Sequence, residues 1–176
     1  MTRWVALLYS VVLSPSRRVT SADLLQLATA IGVLPFKTVL STGNIIFDAD
    51  ATEADLTHRF EASIARDWGK PIPVLLRTAD DWRALVAQNP FAEQSLATPD
   101  QVAVRVMRHH PPADLIERLS RHTTNAAFAT TPRALWIASH GQLSQSPLQR
   151  AMGSGKLGPG TFRNASAIVR IAAALD

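Results

Sequence analysis

The chain has 176 residues, of which 47% are apolar, and its 18 basic against 14 acidic side chains give a net charge of +4. Fifteen of the basic residues are arginine, the side chain best suited to bidentate contacts with carboxylates or phosphates. This is the composition of an ordinary globular protein with one domain or two small ones, and the absence of cysteine excludes a disulfide scaffold, a zinc–thiolate site and a thiol nucleophile. We expect a cytoplasmic protein, because cytoplasmic proteins rarely depend on disulfides.

The apolar run from Trp4 to Leu13 is the first predicted strand. It resembles the apolar region of a signal peptide, but Tyr9 and Ser10 interrupt it and Ser14-Pro15-Ser16 gives no convincing cleavage pattern. Its Val and Leu content predicts a strand buried on both faces at the centre of a sheet. No run in the sequence approaches the roughly 20 apolar residues that cross a membrane, so we expect no membrane partner.

An amphipathic helix follows the first loop. Thr20, with Asp23 three positions later, is typical of a capping box at a helix N-terminus. Gly32 supplies the stop at the other end. The predicted core face of this helix consists of Leu24, Leu27, Ala28 and Ile31.

The segment from Phe36 to Asp48 gives the strongest local signal in the chain. Two β-prone runs, at residues 37–41 and 45–47, flank three turn-forming residues. Glycine and asparagine adopt the positive φ that a tight turn requires. We therefore predict a β-hairpin whose turn lies at Thr42, Gly43 and Asn44.

A second helix and an edge strand complete the first module. The helix begins at Asp50 or Thr52 and ends at Gly69, with Leu56, Phe60 and Ile64 toward the core. The strand at 71–76 contains two prolines, which cannot donate to a ladder, so it belongs at a sheet edge. The order β-α-β-β-α-β is that of ferredoxin-like folds.

The second half of the chain repeats the first five elements of this order, β-α-β-β-α. Residues 89–100 contain two prolines and little periodicity, and we interpret them as a linker between modules at 1–88 and 101–176. After the linker we predict a strand at 102–107, a helix, a hairpin with its turn at 131–133, and two C-terminal helices. The predicted fold class is therefore α+β, with two ferredoxin-like modules, mainly antiparallel sheets and helices on one face.

Several kinds of chemistry are disfavoured by the motifs. The five histidines show no H-x-x-x-H or H-E-x-x-H spacing, so we predict no metal site and interpret them as solvated side chains. No G-x-S-x-G elbow provides a serine nucleophile. The run at 153–156 resembles a phosphate loop, but Arg150 and Leu157 stand where that motif requires Gly and Ser or Thr. We expect no cofactor.

The segment that leads into the last helix is the first candidate anion-binding site. Free backbone amides at a helix N-terminus attract anions. The candidate residues here are Arg163 and Asn164, with Lys156 nearby in sequence. The alternative is that Asn164 or Thr161 caps the helix while Arg163 pairs with a local carboxylate or carbonyl.

The second candidate is the basic pair Arg17 and Arg18 in the first loop, for which the alternative is a solvated charge pair. We expect a non-enzymatic protein that binds a small anionic ligand, such as a nucleotide or phosphate, or nucleic acid. One alternative is a metal-independent enzyme in which Asn44 and Arg163 orient a small anionic substrate. Another is a structural or oligomerising protein that pairs with a second copy through an edge strand.

Short segments spread over nearly the full chain resemble domain-of-unknown-function family 1697 (DUF1697). These segments are Ala6-Leu7-Leu8, Val19 with Asp23-Leu24, Thr42 to Phe47, Asn89-Pro90-Phe91, and Lys156-Leu157-Gly158 with Thr161, Arg163 and Asn164. The resemblance implies a small bacterial α/β protein with ferredoxin-like halves, and it implies no activity.

The sequence departs from the pattern of this family in the first loop. Members typically open with A-L-L-R-G-I-N-V-G-G, and an Arg- and Gly-rich loop after a strand is a credible anion cradle. In this chain the Arg, Gly, Asn and both final Gly are replaced by Tyr9, Ser10, Val12, Ser14 and Pro15. Near the other end the family's Arg-Asn pair is present as residues 163 and 164, whereas the usual Trp after it is Ala165.

Overall fold

The structure is a computed structural model that describes the backbone of residues 1–176 and every side chain except those of residues 41 and 42. The chain forms two compact units, one of residues 1–83 with 170–176 and one of residues 84–169. Each unit is built on a four-stranded antiparallel sheet. The predicted α+β class is confirmed.

The first unit contains the elements predicted for the first module, with two short strands inserted between β1 and α1. In chain order they are β1 (Thr2–Leu8), β2 (Val12–Ser14), β3 (Arg17–Arg18), α1 (Ser21–Ile31), β4 (Phe36–Val39), β5 (Ser41–Ala49), α2 (Glu53–Trp68), β6 (Val74–Thr78) and the start of α3 (Ala79–Ala87). The strand order of the main sheet is β4-β5-β1-β6. This is the order that the β-α-β-β-α-β pattern predicts, with β1 central and β6 at an edge.

The core of this unit lies between the sheet and helices α1 and α2. Alternate residues of β1 (Trp4, Ala6 and Leu8) pack with the predicted apolar faces of both helices. Phe47 of β5 and Phe60 of α2 meet with ring centroids 5.5 Å apart. Both helices therefore cover one face of the sheet, as predicted.

The helix ends follow the local signals in the sequence. Thr20 Oγ1 accepts from the Asp23 N–H at 3.1 Å, and the Asp23 carboxylate accepts from the Thr20 N–H at 2.8 Å, which completes a capping box. Helices α1 and α2 end at Gly32 (φ 73°) and Gly69 (φ 67°), whose left-handed backbone is easily adopted only by glycine.

The prediction of a single strand from Trp4 to Leu13 is wrong. Strand β1 ends at Leu8, and the Ser10 hydroxyl then accepts from the Val12 N–H at 3.1 Å, a local hydrogen bond that competes with strand pairing. The chain instead turns into the two-stranded ribbon of β2 and β3.

The β4–β5 hairpin is confirmed, but the predicted position of its turn is wrong. The turn lies at Leu40 (φ 67°), and Thr42, Gly43 and Asn44 belong to β5. Asn44 pairs with Leu7 of β1, and its Nδ2 donates to the Val39 carbonyl at 2.9 Å. Pairing with β1 thus takes Asn44 into the ladder, at the point where the β4–β5 register shifts. The side chain of Thr42 lies outside the described part of the structure.

Replacement of Leu40 by glycine tests this position for the turn. A left-handed leucine costs about 1–2 kcal/mol, part of which the greater freedom of glycine in the unfolded chain offsets. We expect Leu40→Gly to raise the free energy of unfolding by about 0.5–1 kcal/mol in urea denaturation. Thr38→Gly, in β4, serves as the control and should lower it by a similar amount. Destabilisation by Leu40→Gly would place residue 40 in a strand and contradict the turn.

The second unit repeats the connectivity of the first. Its elements are the end of α3, α4 (Ala92–Ala97), a 3-10 turn (Pro99–Gln101), β7 (Val102–Met107), α5 (Ala113–Ser120), β8 (Ala126–Thr131), β9 (Ala134–Ser139), a 3-10 turn (Leu143–Gln145), α6 (Pro147–Met152), a 3-10 turn (Gly155–Leu157), β10 (Gly160–Asn164) and most of α7 (Ala165–Ala173). The strand order is β10-β7-β9-β8. Residues 89–100, the predicted linker, contain α4 and lie within this unit.

Strand β10 was not predicted; its residues belong to the segment that leads into the last helix. It pairs with β7 over residues 160–164 and fills the edge position that β6 holds in the first unit. Gly160 lies over the buried side chain of Arg105, whose NH2 donates to the Gly158 carbonyl at 2.8 Å. A glycine is required at this point because the guanidinium occupies the space of a side chain.

Replacement of Gly160 by alanine tests this packing. The new Cβ would lie 2.9 Å from Arg105 Cζ and 3.0 Å from the Val106 carbonyl oxygen, closer than ordinary contacts allow. We expect the free energy of unfolding to fall by about 1–3 kcal/mol, the range for overpacked sites. Gly155→Ala is the matched control, because its Cβ would meet no atom within 4 Å. Equal stabilities of the two variants in urea denaturation would show that β10 does not pack on Arg105.

Candidate functional site

The ribbon of β2 and β3 presents the predicted pair Arg17 and Arg18 on the surface of the first unit. Val12 is the register partner of Arg18, and Ser14 is the partner of Arg17. Both arginine side chains are exposed. The ribbon follows directly on the central strand β1, so a buried element holds its first end in place.

A third cation joins this ribbon from a distant part of the sequence. The Lys70 Nζ lies 3.4 Å from the carbonyl oxygen of Val12, the residue opposite Arg18. Lys70 comes directly after Gly69, the glycine that ends α2. We call the ribbon at residues 10–18 together with Lys70 the basic hairpin.

The charges of the basic hairpin are only partly neutralised. Arg17 NH2 contacts the Asp23 carboxylate at 3.4 Å. Hydrogen bonds from Thr20 are the main cause of a lowered pKa at Asp23, and Arg17 contributes less. The Arg18 side chain makes no hydrogen bond or ion pair within the described part of the chain. The hairpin therefore offers at least one guanidinium and one ammonium group to a ligand.

Serine hydroxyls lie among these cations. Ser14 Oγ and Ser16 Oγ are 3.4 Å apart at the turn of the ribbon, and both residues are exposed. Hydroxyls, guanidinium groups and ammonium groups are the side-chain donors that commonly contact phosphate oxygens. The arrangement is thus suited chemically to an anion.

The other predicted anion-binding group consists of Arg163, Asn164 and Lys156, and Arg163 makes hydrogen bonds within the protein. Arg163 of β10 is half-buried, and its NH1 donates to Thr161 Oγ1 at 3.0 Å and to the Phe162 carbonyl at 2.7 Å. Burial lowers the pKa of Arg163 to about 10, so its guanidinium is still cationic at neutral pH. A part-buried cation of this kind has fewer donors to offer than the exposed Arg18.

Asn164 has the capping role that was the alternative interpretation. Its Oδ1 accepts from the Ala167 N–H at 2.9 Å in the first turn of α7. Lys156 is exposed in a 3-10 turn, and its backbone N–H donates to Ser154 Oγ at 3.4 Å. Anion binding by Arg163, Asn164 and Lys156 stays a prediction.

The residue proposed to orient a substrate in an enzyme also has a structural contact. Asn44 is buried in β5, with 3% of its surface exposed, so it does not project from a hairpin tip. Among side chains that the structure describes, no three His, Asp or Glu residues cluster closely enough to hold a metal ion. Within the same part of the chain, no helix has the length and apolar character to span a membrane.

The missed member of the basic hairpin is Lys70. It lies 52 positions after Arg18. No local pattern links it to the first loop. Only the folding of α2 against the sheet brings the two segments together.

Comparison with known proteins supports the fold. A family model described as "Protein of unknown function (DUF1697)" matches residues 1–136. A solved structure of conserved bacterial protein SP0830 from Streptococcus pneumoniae superposes with a TM-score of 0.80 at 17% identity, covering 99% of this chain and 98% of that one. At this identity the likeness shows the fold alone. No curated protein matches the chain.

The pH dependence of stability tests the contribution of the Asp23 carboxylate to the capping box of α1. The pKa of Asp23 is lower in the folded protein than in an unfolded chain. Its carboxylate therefore stabilises the fold above about pH 4, where a free aspartate titrates, and this contribution is lost as the pH falls through the folded-state pKa. We expect Asp23→Ala to be less stable than the parent protein at pH 7, with a smaller difference at pH 3.

Urea denaturation between pH 7 and pH 3 measures this difference. Asp50→Ala is the matched control, because Asp50 is exposed and makes no hydrogen bond or ion pair with the described residues. The free energies of unfolding of Asp23→Ala and of the parent protein could instead differ by the same amount at every pH. That result would show that the charge of the Asp23 carboxylate does not contribute to its interaction with Thr20 and Arg17.

Proposed function

The chain belongs to the DUF1697 family of proteins of unknown function, and we propose that this member binds a phosphate-bearing anion through the basic hairpin. The observation that carries the proposal is the contact between Lys70 and the carbonyl of Val12, opposite Arg18. It gathers cations from two segments 52 positions apart on one exposed ribbon. The function is non-enzymatic, because binding needs only these donors and no catalytic base.

The chemistry of the hairpin favours phosphate over a simple carboxylate. Arg18 presents a planar fork that fits two phosphate oxygens, while Lys70 supplies a point charge that can contact a third. The exposed serine hydroxyls supply further donors. A phosphodiester chain or a nucleotide phosphate group would use all three kinds of donor at once.

The location of the hairpin also supports this proposal. It occupies the loop in which the sequence departs from the family pattern, where an Arg- and Gly-rich loop would provide an anion cradle. In this chain the glycines of that loop are absent, and the cations follow a few positions later at residues 17 and 18. We propose that side-chain cations here replace a cradle made of backbone amides.

The second group, formed by Arg163, Asn164 and Lys156, is a weaker candidate for the same function. Arg163 already donates hydrogen bonds within its own strand. Asn164 already accepts a hydrogen bond from the first turn of α7. Binding there would require these internal bonds to be exchanged for bonds to the ligand. Within the described part of the chain, the exposed Arg18 side chain of the basic hairpin has no such bond to exchange.

A charge-matched pair of triple variants tests the proposal. We expect Arg17→Ser/Arg18→Ser/Lys70→Ser to weaken binding of a fluorescein-labelled single-stranded oligonucleotide and of tripolyphosphate by about tenfold or more at low salt. Each lost phosphate contact should also reduce the slope of log affinity against log salt by about 0.7. Fluorescence anisotropy at several salt concentrations measures both quantities.

The control is Lys37→Ser/Arg150→Ser/Arg170→Ser, which removes the same number of lysines and arginines from exposed positions. Each triple variant changes the net charge from +4 to 4 − 3 = +1. Equal losses of affinity in the two triple variants would show that binding depends only on net charge, and would contradict a site at the hairpin. Loss of binding in Lys156→Ser/Arg163→Gln, with the hairpin variant unaffected, would move the site to the second group.

A further inference from the structure

A half-open cleft of about 400 Å³ lies in the second unit, and none of its lining residues belongs to the basic hairpin or to the second group. It lies at the open end of the β8–β9 hairpin. The loop before β8, the loop after β9 and the 3-10 turn at Leu143–Gln145 form its walls. Its volume falls within the range of pockets that hold small molecules.

Backbone hydrogen bonds hold the two walls in register. Ala126 and Ser139 are the last strand partners, and the ladder continues with a bond from the His140 N–H to the Asn125 carbonyl at 3.0 Å. The Ser139 hydroxyl accepts from the Gly141 N–H at 3.3 Å. Asn125 and His140 therefore lie opposite each other at the open end of the β8–β9 hairpin.

Several polar side chains of this cleft are not used within the protein. In the described part of the chain, the side chains of His122, Thr124, Asn125 and His140 make no hydrogen bond or ion pair. Two further amides are joined to each other, since Gln145 Nε2 donates to Gln142 Oε1 at 2.9 Å. The cleft thus combines unused donors and acceptors on one concave surface.

The chemistry of the lining points to a neutral, planar ligand. Among the described lining residues there is no Lys, Arg, Asp or Glu, so no permanent charge anchors an ion. Side-chain amides carry a donor beside an acceptor, the pattern that matches the edge of a nucleobase. Imidazole rings provide flat faces on which a heterocycle can stack.

We propose that this cleft binds the base of a nucleoside through Asn125, the paired glutamines and the two imidazoles. The proposal does not depend on the basic hairpin, which lies in the other unit and would bind through charge. A nucleoside without phosphate is therefore the appropriate probe, because it can use the cleft and gives the hairpin no anion.

NMR titration of the ¹⁵N-labelled protein tests the proposal, with adenosine, guanosine, cytidine and uridine added separately. We expect at least one nucleoside to shift the backbone amides of Asn125, His140 and Gly141 in a saturable manner. Inorganic phosphate, Zn²⁺ and glucose, added in parallel, should leave those amides unchanged.

The variant Asn125→Ala/His140→Ala should weaken nucleoside binding by roughly tenfold, the effect of losing two hydrogen-bonding groups. His109→Ala, at an exposed histidine that does not line the cleft, should bind as the parent protein does. Three results would overturn the proposal: no saturable shift with any nucleoside, shifts with phosphate, Zn²⁺ or glucose instead, or unchanged affinity in the double variant.

Discussion

Two strands buried on both faces impose the constraint on which the rest of the structure depends. Residues 4–8 of β1 and 102–107 of β7 all have 5% or less of their surface exposed. A buried backbone must satisfy its N–H and C=O groups within the protein. Each strand therefore needs a neighbour on both sides, supplied by β5 and β6 for β1 and by β9 and β10 for β7.

This constraint explains why the candidate sites lie where elements connect. The central strands of both sheets are buried and cannot contact a ligand. The ribbon after β1 and the loops at the open end of the β8–β9 hairpin, in contrast, expose polar side chains next to the sheets. The two sites differ in chemistry. The basic hairpin presents permanent positive charge, and the cleft presents neutral hydrogen-bonding groups and imidazoles.

The sequence patterns predicted correctly those elements whose stability depends on residues a few positions apart. The capping box at Thr20 and the apolar faces of α1 and α2 could be predicted because their physical causes lie within a few residues. The turn at Leu40 could not, since pairing with β1 takes Asn44 into a strand. Strand β10 and the position of Lys70 were missed for the same reason, because both depend on contacts with residues far away in sequence.

Amide hydrogen exchange measured by NMR tests the central constraint most directly. Amides that are hydrogen-bonded at the centre of a cooperative core exchange only when the core opens, whereas amides of an exposed ribbon exchange through local fluctuations. We expect the slowest exchange at residues 5–7 and 104–106, and much faster exchange at Val12 and Arg18. Exchange in either central strand as fast as in the ribbon would contradict the account.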